Sequence, residues 1–258
     1  MRSPLTEAAT TWHVLAEPAG RRGPENMAID AALLAEAHRS GRAFLRLYRW
    51  DPPCVSFGRN EPAARRYDRA AIERLGLDVV RRPTGGRAVW HQHEVTYAVA
   101  APVGALGSLR ESYHRIHEWL ADGLRALGVE ATLAPNGPTV PLSDGPGACF
   151  ARPAGGEIVV GGRKLVGSAQ VRQRTALLQH GSILLEGSQE IIAAISLRPS
   201  AVSGGTTLSA VLGRPVAFDE VAAAVVRAWG DAVTATAPYR SLPSSTARFS
   251  DPAWTWRR

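Results

Sequence analysis

Apolar and polar residues recur along this chain with two different periods, and the switches between them mark out its elements. Pro24-Glu25-Asn26 opens a helix from Asn26 to about His38, with Ile29, Leu33, Leu34 and Ala37 on one face. Residues 43–50 alternate as a strand, and after Pro52-Pro53 a second strand runs from Cys54 to Gly58. A helix from Pro62 to Leu75, a strand from Leu77 to Arg81 and a strand from Glu94 to Ala100 come next, the last with Val95, Tyr97 and Val99 on one side. The longest amphipathic run, Leu109 to Leu127, places Tyr113, Ile116, Trp119, Leu120, Leu124 and Leu127 at helical spacing, which predicts a core-facing helix. Glu157–Val160, Leu165–Val171 and Ala176–Leu185 read as consecutive antiparallel strands joined by Gly161-Gly162 and a polar turn near Gln173-Arg174. Asp219–Trp229 is helical again, and Trp254 and Trp256 in the tail are expected to dock on the body. Strands and helices interleave without strict alternation, so the fold class is α+β.

With 258 residues and 45% hydrophobic content, the chain can bury one large core, and no linker divides it. A single domain over 11–258 is expected, with residues 1–10 flexible. The Pro/Gly-rich stretch from Ala134 to Gly147 reads as a loop of the length that often carries function. No secretory signal or long apolar span is present and two cysteines build no disulfide framework, so a cytoplasmic location away from the membrane is expected. The net charge of +7 favours an acidic partner. Scattered arginines without a nucleic-acid-binding signature argue against nucleic acid. No Cys/His set has metal-ligand spacing, and none is expected to bind metal.

Of 30 basic residues, 29 are arginine and one is lysine, Lys164. A guanidinium is a rigid, permanently charged fork, whereas an ammonium is a compact donor whose pKa moves on burial, so the single lysine marks a position where arginine does not serve. It sits in Gly161-Gly162-Arg163-Lys164-Leu165-Val166-Gly167-Ser168-Ala169-Gln170, a turn leading into small residues that let other groups approach the backbone closely. The order of glycines and lysine is not that of a phosphate-binding P-loop.

Four segments in order carry a family resemblance: Glu25-Asn26-Met27-Ala28-Ile29-Asp30; Arg81-Arg82-Pro83-Thr84-Gly85-Gly86-Arg87-Ala88-Val89-Trp90-His91; Gly162 to Gln170; and Gln179-His180-Gly181-Ser182-Ile183-Leu184. Together they resemble the biotin/lipoate protein ligase superfamily, in its lipoate ligase and octanoyltransferase branch, over about residues 12–215. The resemblance implies a mixed, largely antiparallel sheet flanked by helices, the catalytic-domain fold of that superfamily. Gly147-Ala148-Cys149-Phe150 ahead of the lysine strand is similar to the cysteine-dependent octanoyltransferases of the LipM type.

That likeness implies an N-octanoyltransferase. Its donor is octanoyl-acyl carrier protein, its acceptor a lysine of a lipoyl domain or H-protein, and it works through a thioester on Cys149. A thiol of pKa ~8.5 is little ionised at neutral pH, and an adjacent ammonium stabilises its thiolate, which pairs Lys164 with Cys149 chemically. Backbone N–H groups of Gly167, Ser168 and Ala169 are expected to help polarise the carbonyl. The likeness also implies that Thr84, Gly85 and Gly86 line the acyl channel, with His91, His180 and Gly181 beside it. Arg82 either positions a phosphopantetheine or carboxylate or is solvated, and His91 and His180 are either site residues or satisfied core histidines. Arg87 replaces the third glycine of many relatives. Cys54 is expected in the core. No cofactor is implied, ATP and magnesium entering only if the chain is instead an ATP-dependent lipoate-protein ligase. An octanoyl amidotransferase working between carrier domains is the other catalytic alternative, and a noncatalytic carrier-protein binder the third.

Overall fold

The computed structural model describes residues 11–135, 150, 153–198, 204–230, 233–234 and 245–257. In chain order the elements are β1 (Trp12–Arg21), α1 (Gly23–Ser40), β2 (Ala43–Trp50), β3 (Cys54–Phe57), α2 (Ala63–Arg66), α3 (Arg69–Arg74), β4 (Asp78–Arg81), β5 (Val89–His91), β6 (Glu94–Pro102) and α4 (Leu109–Arg125). They continue with β7 (Thr132–Leu133), β8 (Ile158–Val160), β9 (Arg163–Lys164), β10 (Val166–Gln173), β11 (Ala176–Leu184), α5 (Glu190–Ala194), α6 (Leu208–Leu212), α7 (Phe218–Ala228), β12 (Val233–Thr234), α8 (Ala247–Ser250) and α9 (Pro252–Thr255).

Six strands form the main sheet in the order β10-β11-β6-β2-β1-β12. Its β10/β11, β11/β6 and β2/β6 pairs are antiparallel, and β1 runs parallel to β2 and β12. Alternation along β6 sends Val95, Tyr97 and Val99 into a core with Ile116, Leu120 and Leu124 of α4 and Val221 and Val225 of α7. Ala98 and Ala100 face the other way, against Met27, Leu33 and Leu34 of α1. Small alanines on that face let α1 approach the sheet. Two three-stranded sheets, β4-β3-β5 and β7-β8-β9, complete the α+β architecture.

Most expected elements lie where the pattern puts them, and three differ. Strand β1 is not anticipated by the pattern; Glu17, Arg21 and Pro18 interrupt its apolar alternation, and it is held by pairing with β2 and the burial of Trp12 and Leu15. The helix expected over Pro62–Leu75 is broken into α2 and α3 at Tyr67-Asp68. Tyr67 bridges to Ser196, the Asp68 amide donates to Ile195 O (2.8 Å), and the Asp68 side chain caps α3 by accepting from Ala71 N (3.1 Å). The segments around Lys164 are also more divided than expected: β8 and β9 belong to a small sheet of their own, and only from Val166 does the chain join the main sheet as its edge. The tryptophans of the tail do dock, Trp254 donating its indole N–H to Arg81 O at 2.9 Å.

Candidate functional site

Lys164 is 2% exposed. The β8–β9 hairpin turns at Gly161-Gly162 and sets Lys164 opposite Val159, so Glu157, two residues before Val159, shares the lysine's side of the ribbon. The ammonium is 2.8 Å from Glu157 Oε1 and 2.7 Å from Oε2, with the carboxylate equally buried. The Phe150 ring lies over it, centroid to Nζ 5.1 Å. Lys164 also crosses the start of β10: a Cβ on Gly167 would stand 3.1 Å from Lys164 Cε and 2.9 Å from the Phe150 ring. Glycine at 167 is thus a packing requirement, and sequence inspection missed Glu157. The signal was present, because a lone lysine in an apolar run needs an acid within a hairpin's reach.

From Gly167 a row of residues crosses four strands, Gly167 beside Ser182, Ser182 beside Thr96, Thr96 beside Tyr48. Three inter-strand steps of ~4.8 Å make that row ~14 Å long. It floors a narrow cleft. Ala169, His180 and Gly181 add to the floor, and Arg82, Val89 and His91 form the facing wall. Ser168 to Gln170 and Gly85 to Arg87 are half-buried and form the two lips.

Buried hydrogen bonds fix both histidines of this cleft. His180 Nδ1 is 2.9 Å from Asp30 Oδ2, and Nε2 is 2.5 Å from Thr84 Oγ1. Burial tends to raise the Asp30 carboxyl, but the bond to His180 and the Arg46 charge outweigh it and hold the carboxyl below its usual range. An ionised carboxylate only accepts, so Nδ1 of His180 carries the proton and Thr84 donates to Nε2. Burial, with Arg82 and His91 adding to it against the Asp30 carboxylate, lowers His180 below the usual imidazole value and keeps the ring neutral. His91 stacks on Trp50 (4.0 Å, 11°), with Nδ1 2.7 Å from Glu94 Oε1 and Nε2 2.7 Å from Ser56 Oγ. Both rings are therefore satisfied in the protein and exposed to the cleft at once. The two alternatives are not exclusive.

Arg82 is buried rather than solvated, and its five N–H groups meet protein acceptors: Ser56 O and Oγ, Gly85 O twice, and Arg87 O. It clamps the Thr84–Arg87 loop to β3. Thr84 stands behind His180, the Gly85 carbonyl sits under Arg82, and a Cβ on Gly86 would be 3.7 Å from Ala169 Cβ, so these three shape the lip and are not in the cleft's lining.

The expected amide donors divide. Ser168 N–H turns off the outer edge of β10 toward Glu157 Oε1 (3.5 Å), and the alternation of an antiparallel ladder therefore turns those of Gly167 and Ala169 inward to β11. One amide, not three, is directed at the Lys164 pocket, and it meets a carboxylate. On the opposite face of β10, Ser168 Oγ lies 2.7 Å from His117 Nε2 and 2.6 Å from Tyr97 OH. Burial, the Lys164 ammonium and His114 push His117 down to about 3. Its place in the site comes from α4 packing and is not apparent from the chain.

Cys149 lies outside the described residues. Cys54 is in the core, where burial, then the Asp78 charge, push its thiol well above the ordinary range and make it a poor nucleophile. Among the described residues no group of three His, Cys, Asp or Glu side chains could hold a metal ion, and no helix is long and apolar enough to cross a membrane.

Known proteins give this geometry its relatives. Octanoyltransferase LipM of Kyrpidia tusciae is 40% identical over 243 residues, 87% of this chain and 88% of the relative. Octanoyltransferase LipM of Symbiobacterium thermophilum is 38% identical over 245 residues, 87% and 89%. Among solved structures, lipoate-protein ligase A bound with ATP superposes with a TM-score of 0.76 at 20% identity, covering 96% of this chain and 99% of that one. A structure of the bipartite lipoate protein ligase from Thermoplasma acidophilum gives 0.73 at 19%, covering 96% and 97%. Residues 22–230, which contain the lysine hairpin, both lips and the cleft floor, match the lipoyl protein ligase A/B catalytic domain, and the chain belongs to that family.

Proposed function

We propose that this chain is an octanoyltransferase of protein lipoylation that takes octanoate from a carrier-protein thioester and passes it to a lysine of a lipoyl domain. The activity follows from relatives named octanoyltransferase at 34–43% identity. The observation that carries the mechanism is the buried Lys164 ammonium beside Gly167, where the ~14 Å floor row begins. An extended eight-carbon acyl chain advances ~1.3 Å per bond, ~9 Å in all, and fits along that row.

In the mechanism we favour, Cys149 is the nucleophile. Phe150, its covalent neighbour, is buried with its ring on Lys164. The Cys149 thiolate attacks the thioester carbonyl; the new C–S bond forms as the carrier's C–S bond breaks, and the departing thiolate takes up the proton that Cys149 gave up. An acceptor amine then attacks the acyl-enzyme carbonyl, the C–N bond forms as the C–S bond to Cys149 breaks, and the proton lost by the amine goes to the departing Cys149 sulfur. Lys164 supplies the positive charge that favours the thiolate and the developing oxyanion, and Glu157 holds that charge in place. The incoming thioester is already activated, so no ATP is consumed. Donor octanoyl-acyl carrier protein and acceptor lipoyl domain are both proposed on this chemistry, in the cytoplasm, where a free thiol stays reduced.

Intact and peptide mass spectrometry after mixing with octanoyl-acyl carrier protein tests the scheme. One octanoyl group on Cys149, chased to a lipoyl domain without ATP, is the expected result. Full activity in Cys149→Ser would overturn the thiol step, ATP-dependent use of free octanoate would favour a ligase, and transfer only from octanoylated H-protein would favour an amidotransferase.

A further inference from the structure

Strand β4 ends at Arg81, and backbone alternation turns this residue and the following Arg82 to opposite sides. Arg82 lines the cleft and clamps one of its lips through the carbonyls of Gly85 and Arg87. Arg81 faces away and is wholly buried. Its Nε donates to Trp254 O and Thr255 O (both 3.0 Å) and its Nη2 to Arg257 O (3.0 Å), all in the C-terminal tail. Its Nη1 donates to Gly58 O (2.6 Å), Arg59 O (3.2 Å) and Glu61 O (2.8 Å), in the loop after β3. One guanidinium joins a loop and a tail that are remote in the chain.

The tail bonds back to the same loop. Trp254 Nε1 donates to Arg81 O (2.9 Å), Trp256 packs its ring on Phe57 (centroids 5.4 Å), and Arg257 Nη2 donates to Arg59 O at 2.7 Å. Arg257 also stacks on Trp254, with Cζ 3.8 Å from the ring centroid, which steadies the guanidinium that holds the loop. The loop in turn backs the Gly85–Arg87 lip: Arg59 N donates to Thr84 O (2.7 Å), and a Cβ on Gly58 would collide with Gly86 O. On its other side Gly86 faces Ala169 of the cleft floor. Contact runs unbroken from tail to loop to lip to floor.

Apolar packing of Trp256 on Phe57 would by itself dock a tail. The hydrogen bonds do more, because they weaken steeply with distance and angle and so fix where the loop stands, and the loop has no slack against Gly86. We propose that the C-terminal tail sets the position of the Gly85–Arg87 lip, with Arg81 and Arg257 as positioning residues for entry of the donor's acyl chain into the cleft. This rests on the octanoyl-transfer reading. To reach the floor row the chain must pass between this lip and the Ser168–Gln170 lip, whereas the acceptor amine meets an acyl group already seated. The donor half-reaction is the one served.

The test sets Arg257→Ala against Arg257→Lys in the full chain, with octanoyl-pantetheine as donor and a lipoyl domain as acceptor. Losing one hydrogen bond of ordinary strength shifts an equilibrium about three- to tenfold. Arg257→Ala is expected to raise the donor KM by that factor with kcat and the lipoyl-domain KM held, and to quicken amide exchange at Arg59 and across the lip but not in β10 or β11. Arg257→Lys, which keeps a donor for the Arg59 carbonyl, recovers part of both, and Arg214→Ala, the same loss of charge at the exposed pair with Glu220, changes neither. An unchanged donor KM, a rise for both substrates alike, exchange that quickens equally in β10 and β11, or a lysine variant no better than alanine would each overturn the assignment. Should Arg257→Ala lower the melting temperature by several degrees, Trp254→Phe decides, since it drops only the N–H to the Arg81 carbonyl: no rise in donor KM there overturns it. Absence of transfer by the wild type would instead reject the transfer reading, and the exchange comparison would still judge the link from tail to lip.

Discussion

Two buried cations, Arg46 and Lys164, show how differently one charge is used in one molecule. Arg46 is wholly buried between β1, β2 and α1, donating to Glu17 Oε2 (2.6 Å), Asp30 Oδ1 (2.8 Å), Asn26 O (3.2 Å) and Asn26 Oδ1 (2.8 Å), with its plane over Tyr48. Those acceptors come from two other elements, β1 and α1, and Asp30 continues to His180 in the cleft. A planar fork that never loses its proton is suited to locking a framework. Lys164 has its paired acid seven residues away on the same hairpin, ends β9 two residues before the edge strand β10 begins, and packs on Gly167 of the cleft floor. An ammonium there is a compact donor on a flexible stem and can reorient. The contrast sits beside a composition of 29 arginines and one lysine: the framework cation is an arginine, and the lysine stands in the hairpin next to the cleft floor.

The largest expected effect falls on activity. Lys164→Arg should lower octanoyl transfer ~10²–10⁴-fold. The larger side chain should cost only about 1–3 kcal/mol of stability from overpacking. Transfer within tenfold of wild type would erase the distinction between the two cations. Arg46→Met should do the reverse. It takes the buried positive charge from the Glu17 and Asp30 carboxylates, leaving Arg21 on the first and Tyr48 and His180 on the second, and costs about 3–5 kcal/mol in urea unfolding, with loss of activity following loss of structure. A variant of unchanged stability would show the network to be dispensable.

Glu157→Gln sharpens the contrast. The amide keeps one oxygen acceptor for the Lys164 ammonium, so the penalty should be about 1–3 kcal/mol, below that of Arg46→Met. A penalty equal to that of Arg46→Met would erase the difference between the two cations. The effect that is smallest at neutral pH, and grows only in acid, is that of the buried His117. His117 is at about 3 in the folded chain and near 6.5 when unfolded, so below pH 6.5 the unfolded state binds a proton that the native state does not. Stability is complete above pH 6.5 and declines toward pH 3, by about 1.4 kcal/mol per pH unit for this group, with His180 shifted in the same direction. His117→Gln should remove one proton from that slope between pH 6 and 4, and an unchanged slope would assign the acid sensitivity elsewhere.

Much of the site's inventory was legible in the chain. Arg82, His91, Gly167, Ser168, Ala169, His180 and Gly181 line one cleft, although His91 lies in β5 of a three-stranded sheet and His180 in β11 of the main sheet. Glu157 escapes notice because it ends a loop-like stretch, and its role depends on how tightly the hairpin closes. His117 reads as one more helical position: α4 displays it, but only the sheet brings Ser168 to it across 51 residues. The break at Tyr67-Asp68 has the same origin, since a bridge to Ser196 overrides local helical preference.

The chain alone determined the types and approximate bounds of most elements, because apolar periods of two and 3.6 residues are local properties. It also determined that Lys164 is singular. Strand order was settled by packing, and with it every partner that matters: Asp30 with His180 across 150 residues, Thr84 with His180 across 96, and the floor row drawn from four strands. No local pattern encodes these pairs. They exist because closing the sheet between two apolar layers fixes which backbones lie side by side, and buried polar groups then bond to whatever that closure sets opposite them.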